Sequence, residues 1–243
     1  MSAQLSTLAS DAVALIENVS LRASAERWAY ADTHRAAIDQ HWCSVMAAGA
    51  SYFNGTVYLT RHVSCDDVSL SAQLIPVEFK AYLYWRDQGY PAADIIDGFG
   101  SGLIRSREGA IVLVRQRSGN INSGLFYLPG GFIDPRDVGA DGTIDLRASV
   151  VREVLEETGL GPDDLSMDGG YVVTKAGVQL SFAVSLRSSR DADDLLAQIK
   201  RHIAAHPEGE LVDVKAVRAA SDLVGLVMTP YAQALLAVVL PET

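Results

Sequence analysis

The sequence predicts an α/β (α+β) fold in which a mixed β-sheet is sandwiched between helices, preceded by a helical and β-stranded N-terminal extension. Strand-like and helix-like segments alternate through the second half of the chain, which is typical of helices packed on a sheet. About half of the 243 residues are apolar, enough to form a sizeable core. The first part ends near Pro91–Asp97, just before Gly98, Gly100 and Gly102, so we expect an N-terminal extension over 1–95 and a second domain over 96–243.

The extension begins with a segment that we predict to be helical over residues 1–50, because it is rich in Ala and Leu and has no Gly or Pro before Gly49. Asn54 and Gly55 then predict a turn. Apolar and polar residues alternate well enough in the following segments to predict strands, and a helix that ends at Gly89 follows them. These predicted elements are strands at 56–60 and 69–75 and a helix at 79–88.

The second domain begins with a strand around Gly98–Gly102 that ends at a turn at Gly109. Apolar runs predict the next strands, at 111–117, 125–128, 171–174, 178–186 and 211–217. Helices are predicted at 146–158 between Asp145 as N-cap and Gly159, at 191–205 before Pro207, and at 230–240 after Thr229.

The helix after Asp145 has an unusual charge pattern. At about 100° per residue, Glu153, Glu156 and Glu157 share one arc of the helix surface. The adjacent arc is aliphatic and should be buried, with Val150, Val151, Val154 and Leu155. Three neighbouring carboxylates repel one another and raise each other's pKa unless a cation neutralises them. Oxygen ligands suit Mg²⁺ or Mn²⁺, ions that usually bridge to substrate phosphates, although a Glu-rich helix can also be only a solvated face.

Leu128-Pro129-Gly130-Gly131 and the run from Arg152 to Leu160 together are similar to the signature of Nudix hydrolases, which cleave a nucleoside diphosphate linked to another group. The chain departs from that signature in two ways. Asp137 stands where the family has Glu, and fourteen residues rather than seven separate this position from Arg152. The additional residues, 138–144, are rich in Gly and Asp and predict an inserted loop.

The resemblance implies a Nudix fold and attack of a metal-activated water on phosphorus. It assigns Mg²⁺ or Mn²⁺ to Glu153, Glu156 and Glu157 and to the carbonyl oxygen of Gly131. Arg152 would orient the carboxylates, and Glu153 is our first choice for positioning or deprotonating the water. A loop carboxylate, Glu208 or Glu210, would complete the metal set or else be a solvated charge. A fold that has lost activity is the alternative, because Asp137 is one methylene shorter than Glu.

Other polar residues permit two interpretations. Arg115 and Arg117, at the end of a strand, either hold substrate phosphate oxygens or are ordinary strand-end charges. His202 and His206 are four residues apart on a helix, but they lack the zinc-protease pattern and are expected to be solvated. The tryptophans are expected to pack in the core, although one of them could stack on a nucleobase; they are Trp28, Trp42 and Trp85.

The segment from about residue 50 to 160 is further similar to Nudix enzymes that cleave UDP-sugars, which also have an N-terminal extension and a lengthened signature loop. This similarity implies UDP-glucose or a related nucleotide sugar as substrate. ADP-ribose or another nucleotide derivative is the alternative substrate. From a different class of protein, a catalytically weak nucleotide sensor is the alternative function.

The net charge of −10 argues against binding of nucleic acid, which requires clustered positive charge. Cys43 and Cys65 lack metal-ligand spacing and are expected to be free thiols. The N-terminus does not resemble a secretory signal, and no apolar run has the length of a membrane span, so we expect a cytoplasmic protein. Homodimers are frequent in the family that the chain resembles, and the extension offers a surface for one.

Overall fold

The computed structural model describes residues 12–91 and 94–241, and within them two β-sheets carry the helices. The larger sheet has the order β1-β10-β11-β5-β6-β12, with β7 paired to β6 and β8 paired to β5. Numbered along the chain, its strands are β1 (Val13–Ile16), β5 (Asp97–Arg105), β6 (Ile111–Gln116), β7 (Phe126–Tyr127), β8 (Gly130–Phe132), β10 (Leu165–Ala176), β11 (Gln179–Ser188) and β12 (Leu211–Val217). Because β5 and β11 run parallel and the other pairs antiparallel, the predicted mixed sheet is confirmed.

The smaller sheet has the order β3-β4-β2-β9. Its strands are β2 (Asn18–Ala23), β3 (Thr56–Cys65), β4 (Ser69–Glu78) and β9 (Thr143–Ile144). The helices are α1 (Ala29–Thr33), α2 (Arg35–Ala47), α3 (Phe79–Asp87), α4 (Leu146–Thr158), α5 (Ala192–Ala205) and α6 (Pro230–Val239). Among the described residues, no helix is long and apolar enough to cross a membrane.

The prediction of helix over residues 1–50 is wrong for residues 13–23, which form β1 and β2; residues 1–11 lie outside the described part of the chain. Helix begins only with α1 and α2. The reason is tertiary: β1 pairs with β10 and β2 pairs with β4, and this pairing overrides the helical preference of the composition.

The two sheets exchange strands. β1, from the extension, lies at the edge of the larger sheet, whereas β9, from the inserted segment 138–144, pairs with β2 in the smaller sheet. The Arg22 side chain donates a hydrogen bond of 2.7 Å to the carbonyl oxygen of Asp141, which fixes the inserted segment further. The predicted loop is therefore partly a strand, and it joins the two halves of the molecule.

Glycines in β5 let α4 lie close against the larger sheet. A Cβ atom at Gly100 would lie 2.7 Å from a methyl carbon of Val150, and one at Gly102 would lie 2.6 Å from a methyl carbon of Val154. Both distances are below normal van der Waals contact, so a side chain at either position would move the helix. The face of β5 that has glycines instead of side chains therefore determines how far the acidic helix lies from the sheet.

Candidate active site

The acidic helix α4 has the ends that the sequence predicts. The Asp145 side chain accepts a hydrogen bond of 3.0 Å from the backbone N–H of Ala148, and Gly159 ends the helix in the left-handed conformation. Val150 and Val154 are buried against the sheet. Leu155 is predicted on the same buried side but is 45% exposed. It follows Val154 directly, and a step of about 100° around the helix turns its side chain away from the sheet.

A cavity of about 910 Å³ is lined by residues from two parts of the chain, 51–82 and 97–231. One end is lined by Glu153, Glu156 and Glu157 together with the glycines of β8. Eight aromatic side chains also line the cavity: Tyr52, Phe53, Phe79, Tyr82, Phe99, Tyr127, Phe132 and Tyr231. The structure thus brings the three predicted carboxylates and Gly131 to one cavity.

Arg152 links the two parts of the signature. Its guanidinium donates to Asp137 at 2.9 Å and to Glu153 at 2.5 Å, and it lies 3.6 Å from a carboxylate oxygen of Glu156. The Asp137 side chain is almost fully buried and also accepts the backbone N–H of Asp134 at 3.0 Å. The shorter side chain of Asp137 therefore reaches Arg152 despite the missing methylene.

The Glu153 carboxylate lies directly over Gly131. A Cβ atom on residue 131 would be 2.5 Å from Oε2 of Glu153, so only glycine leaves space for the carboxylate. Burial raises the pKa of Glu153 to about 6, although the neighbouring Arg152 acts in the opposite direction. One carboxylate oxygen contacts Arg152, and the other is held above the glycine loop.

The third carboxylate, Glu157, is held by two donors. It accepts hydrogen bonds from the Tyr127 hydroxyl at 2.7 Å and from the backbone N–H of Gly130 at 2.8 Å. Burial nevertheless raises its pKa to about 8, and the carboxylates of Glu210 and Glu153 add to this effect. A positive charge in the cavity would offset the cost of ionising Glu157.

Glu156 is half exposed and lies 3.4 Å from the guanidinium of Arg136. Arg136 also contacts Asp134 at 2.6 Å, and its side chain is 59% exposed at the wall of the cavity. Arg136 lies in a short 3₁₀ helix, Pro135–Asp137, which is not predicted from the sequence. Its position between Asp134 and Asp137, inside the signature, was the available signal.

The two arginines predicted to hold phosphate do not line the cavity. Arg117 donates hydrogen bonds to the carbonyl oxygens of Gly209 at 2.9 Å and Pro207 at 2.5 Å, and Arg115 pairs with Asp213 at 3.4 Å. Alternation along β6 instead directs Gln116 to the cavity, where its amide donates to Glu210 at 3.0 Å. The structure thus separates Arg115 and Arg117 from the carboxylates.

Three of the remaining sequence candidates, His202, His206 and Glu210, line the cavity. Glu208 is exposed and does not line it. His202 lies 3.0 Å from the carbonyl oxygen of Glu156, and its ring is 4.3 Å from that of His206. The contact joins the end of α4 to α5, a structural role that the spacing of the two histidines does not reveal.

Asp97 was also not identified as a site residue from the sequence. It lies in the cavity wall, is 2% exposed, and accepts a hydrogen bond of 2.9 Å from the Tyr82 hydroxyl. Burial raises its pKa to about 7. The sequence signal for Asp97 is its position beside Gly98 in a predicted strand, because Asp and Gly are both uncommon in strands.

Among residues 12–91 and 94–241, no group of three or more Asp, Glu, His or Cys side chains converges closely enough to form a complete metal site. The donor set nevertheless fits a hard divalent cation. Glu153, Glu156 and Glu157 are all oxygen donors at one end of the cavity, and the raised pKa values of Glu153 and Glu157 indicate carboxylates that a cation would stabilise.

The chain was compared with curated proteins, solved structures and family models. No curated protein matches the sequence significantly. Solved structures similar to this chain include a Nudix hydrolase from M. smegmatis, RenU (18% identity, 57% of this chain and 80% of that chain, TM-score 0.36). A second is the MutT protein from Methanosarcina mazei Go1 (20% identity, 56% of this chain and 86% of that chain, TM-score 0.35). A third is a NUDIX hydrolase from Nitrosomonas europaea (19% identity, 58% of this chain and 86% of that chain, TM-score 0.36).

The family assignment depends on the sequence rather than on these structures. The family model described as NUDIX domain matches residues 99–220, half of the chain. The matched range contains Gly131, Asp137, Arg152 and all three carboxylates of α4. The chain therefore belongs to the NUDIX domain family, whose members are hydrolases of pyrophosphate bonds.

Proposed function

We propose that this protein is a divalent-metal-dependent hydrolase that cleaves the diphosphate of a nucleoside diphosphate linked to another group. The observation that carries the proposal is that Glu153, Glu156 and Glu157 line one large cavity together with the β8 glycines Gly130 and Gly131. Following the similarity of residues 50–160, UDP-glucose or a related UDP-sugar is the first substrate to test. The products would be UMP and a sugar 1-phosphate.

Glu153, Glu156 and Glu157, with the carbonyl oxygen of Gly131, are the groups that would hold Mg²⁺ or Mn²⁺. The bound cation would supply Lewis acidity, making a water molecule more acidic and neutralising charge on the phosphoryl oxygens. The burial of both carboxylates supports this assignment. The pKa of Glu153 is raised even beside Arg152, and the pKa of Glu157 is raised further, so a bound cation would offset the cost of ionising both groups.

The other polar side chains would orient the carboxylates, accept a proton from the water and hold the phosphate. Arg152 fixes the orientation of Glu153 through the 2.5 Å contact, and Asp137 fixes Arg152 in turn. Glu153 then positions the attacking water or accepts its proton, with Glu210, at the same cavity, as the alternative base. The exposed guanidinium of Arg136 is suited to hold phosphate oxygens, one of the two roles that the sequence permits for Arg115 and Arg117.

The proposal is tested by turnover. Incubation with UDP-sugars, ADP-ribose and other nucleotide derivatives, with and without Mg²⁺, should release a nucleoside monophosphate only in the presence of the metal. Glu153→Gln should lower kcat by at least about 100-fold, because a carboxylate that holds the metal or takes the proton is lost. Glu17→Gln, a change at an exposed carboxylate outside the cavity, is the matched control and should retain full activity.

One observation favours a second candidate, a nucleotide sensor with weak catalysis. Both carboxylate oxygens of Glu157 already accept hydrogen bonds, from Tyr127 and from Gly130, so this residue is satisfied without a cation. Metal-independent binding of a nucleotide, with no monophosphate released under any condition, would favour the sensor and refute the hydrolase.

A further inference from the structure

A buried carboxylate with one unpaired oxygen lies in the cavity wall, apart from the acidic helix. Oδ2 of Asp97 accepts the Tyr82 hydroxyl, whereas Oδ1 is buried and has no hydrogen-bond partner within the described residues. Leaving a buried acceptor without a donor costs free energy, and such groups are rare in folded proteins. Since Asp97 lines the cavity, a ligand there can supply the missing donor.

Gln179 lies beside Asp97 and has the same property. The two residues are register partners in the parallel pair of β5 and β11, where neighbouring strands are about 4.8 Å apart. Oε1 of Gln179 is also buried without a partner, and Gln179 lines the same cavity. The Asp97 carboxylate accepts hydrogen bonds, and the Gln179 amide can donate or accept them. Together they suit a ligand that presents an N–H group next to a second polar atom.

Two aromatic rings make a flat ligand the better fit. Phe99 lies two residues along β5 from Asp97, and Phe132 is its register partner in β8. Both are partly buried and line the cavity. Each is held by a second ring at a centroid distance of 4.8 Å, Phe99 by Tyr231 and Phe132 by Tyr82. Fixed aromatic side chains offer a stacking surface to a nucleobase, whereas a sugar lacks a π-face.

The spacing along β5 agrees with this assignment. Gly131, at the carboxylate end, is the register partner of Gly100. Asp97 lies three residues before Gly100, a distance of about 10 Å along an extended strand. This is comparable to the span of a nucleoside from its 5′ phosphate to the far edge of its base.

We propose that Asp97 and Gln179 form the subsite for the nucleobase and select it through an N–H donor on its edge. The direction of the bound nucleotide in this inference rests on the proposed function, which places the phosphates at Glu153 and Gly131. Asp97 is thus a residue that determines base specificity and takes no part in bond cleavage.

The test compares substrates that differ only in the base or only in the sugar. Wild type and Asp97→Asn are assayed with five nucleoside diphosphate glucoses, whose bases are adenine, guanine, cytosine, uracil and thymine. They are also assayed with UDP-galactose and UDP-N-acetylglucosamine, which differ from UDP-glucose only in the sugar. For the preferred base, kcat/KM should fall by about 10- to 100-fold, mainly through KM, because the amide offers one acceptor and one donor where the carboxylate offers two charged acceptors. The ranking of bases should flatten, while the ranking of sugars stays unchanged.

Ser181→Ala is the matched control. Ser181 is buried in the same strand as Gln179 and bonds to Ser101 in β5 at 2.7 Å, but it does not line the cavity, so the ranking of bases should remain. Gln179→Leu, of similar size, is the second variant if Asp97→Asn does not fold. An equal loss for all bases, a change in sugar ranking, or an unchanged base ranking would each overturn the proposal.

Binding separates this inference from the proposed function. The affinity of wild type and Asp97→Asn for AMP, GMP, CMP, UMP and TMP is measured by titration calorimetry without metal. Base-dependent binding that Asp97→Asn abolishes would support the subsite even if no substrate is hydrolysed. Metal-dependent hydrolysis together with base-independent binding by the wild type would support the enzyme and refute the subsite.

Discussion

At the scale of single residues, Asp137 and Arg152 show how the site tolerates a substitution in its signature. The ion pair between them is 2.9 Å long, and the Asp137 side chain is 3% exposed. Asp137→Asn removes the charge that balances a partly buried guanidinium, and we expect the free energy of unfolding to fall by about 3 kcal/mol. Urea unfolding followed by circular dichroism measures this change.

The exposed Asp163 provides the control for this experiment, since Asp163→Asn should change the unfolding free energy by less than about 0.5 kcal/mol. If Asp137→Asn were equally neutral, Arg152 would be neutralised sufficiently by Glu153 alone, and Asp137 would have no part in holding the signature together.

Asp97 should make stability depend on pH. Its pKa is raised to about 7 by burial, from an ordinary value of 3.8, although the Tyr82 hydroxyl and Arg86 counteract this. Below about pH 4 both folded and unfolded states hold the proton. Between about pH 4 and 7 only the folded state holds it, so the unfolding free energy should fall by about 1.4 kcal/mol per pH unit, and the loss is complete above pH 7.

The contribution of Asp97 is isolated by comparison with Asp97→Asn, which lacks the titrating group. The stability of this variant relative to wild type should rise from pH 4 to 7 and then level off in urea titrations. Tyr82→Phe removes a donor that favours the ionised carboxylate, so its pH dependence should extend to higher pH. Parallel curves for wild type and Asp97→Asn would show that Asp97 ionises normally.

At the scale of elements, the distance between α4 and β5 determines where the carboxylates lie. Gly102→Ala would place a methyl group 2.6 Å from the side chain of Val154, on the helix that carries Glu153 and Glu157. We expect a loss of about 1–3 kcal/mol in the unfolding free energy. Turnover of the folded variant should fall about 100-fold, because a displacement of 1 Å misplaces the carboxylates.

Gly169→Ala is the matched control, because a Cβ atom at residue 169 meets no atom within 4 Å. It should leave activity and stability nearly unchanged. Full activity of Gly102→Ala would mean that the helix adjusts without cost, so that its height above the sheet does not determine the geometry of the site.

Local sequence patterns predict an element well when residues at its own ends, such as a capping side chain or a glycine, determine where it begins and ends. Asp145 and Gly159 delimit α4 as expected, and β12 occupies the predicted residues 211–217. The prediction fails where pairing with distant residues decides the structure. β1 and β2 form only because β10 and β4 accept them, and β9 forms because β2 offers an edge.

The same distinction applies to the site. The carboxylates of α4 follow from helical periodicity, whereas Arg136, Asp97 and Gln179 enter the cavity through loop geometry and strand register. Arg115 and Arg117 have the correct charge, but alternation along β6 turns Gln116 to the cavity instead. Charge alone could not determine which of three consecutive residues would face the cavity.

At the scale of the whole molecule, the exchange of β1 and β9 between the two sheets should make the protein unfold as one unit. Neither sheet keeps all its strands if the other unfolds, and the cavity has walls from both halves. All three tryptophans, Trp28, Trp42 and Trp85, lie in the N-terminal extension. Tryptophan fluorescence therefore reports on the extension alone, whereas far-ultraviolet circular dichroism reports on both halves.

We expect the two probes to give coincident urea transitions with the same midpoint, the behaviour of a single cooperative unit. Trp28 and Trp85 are buried, so their fluorescence changes only when the aromatic core of the extension opens. Truncating Ile144, which is buried in β9, to Ala should shift both transitions together to lower urea. A fluorescence transition that precedes the change in circular dichroism would show instead that the extension unfolds independently and that the strand exchange does not couple the two halves.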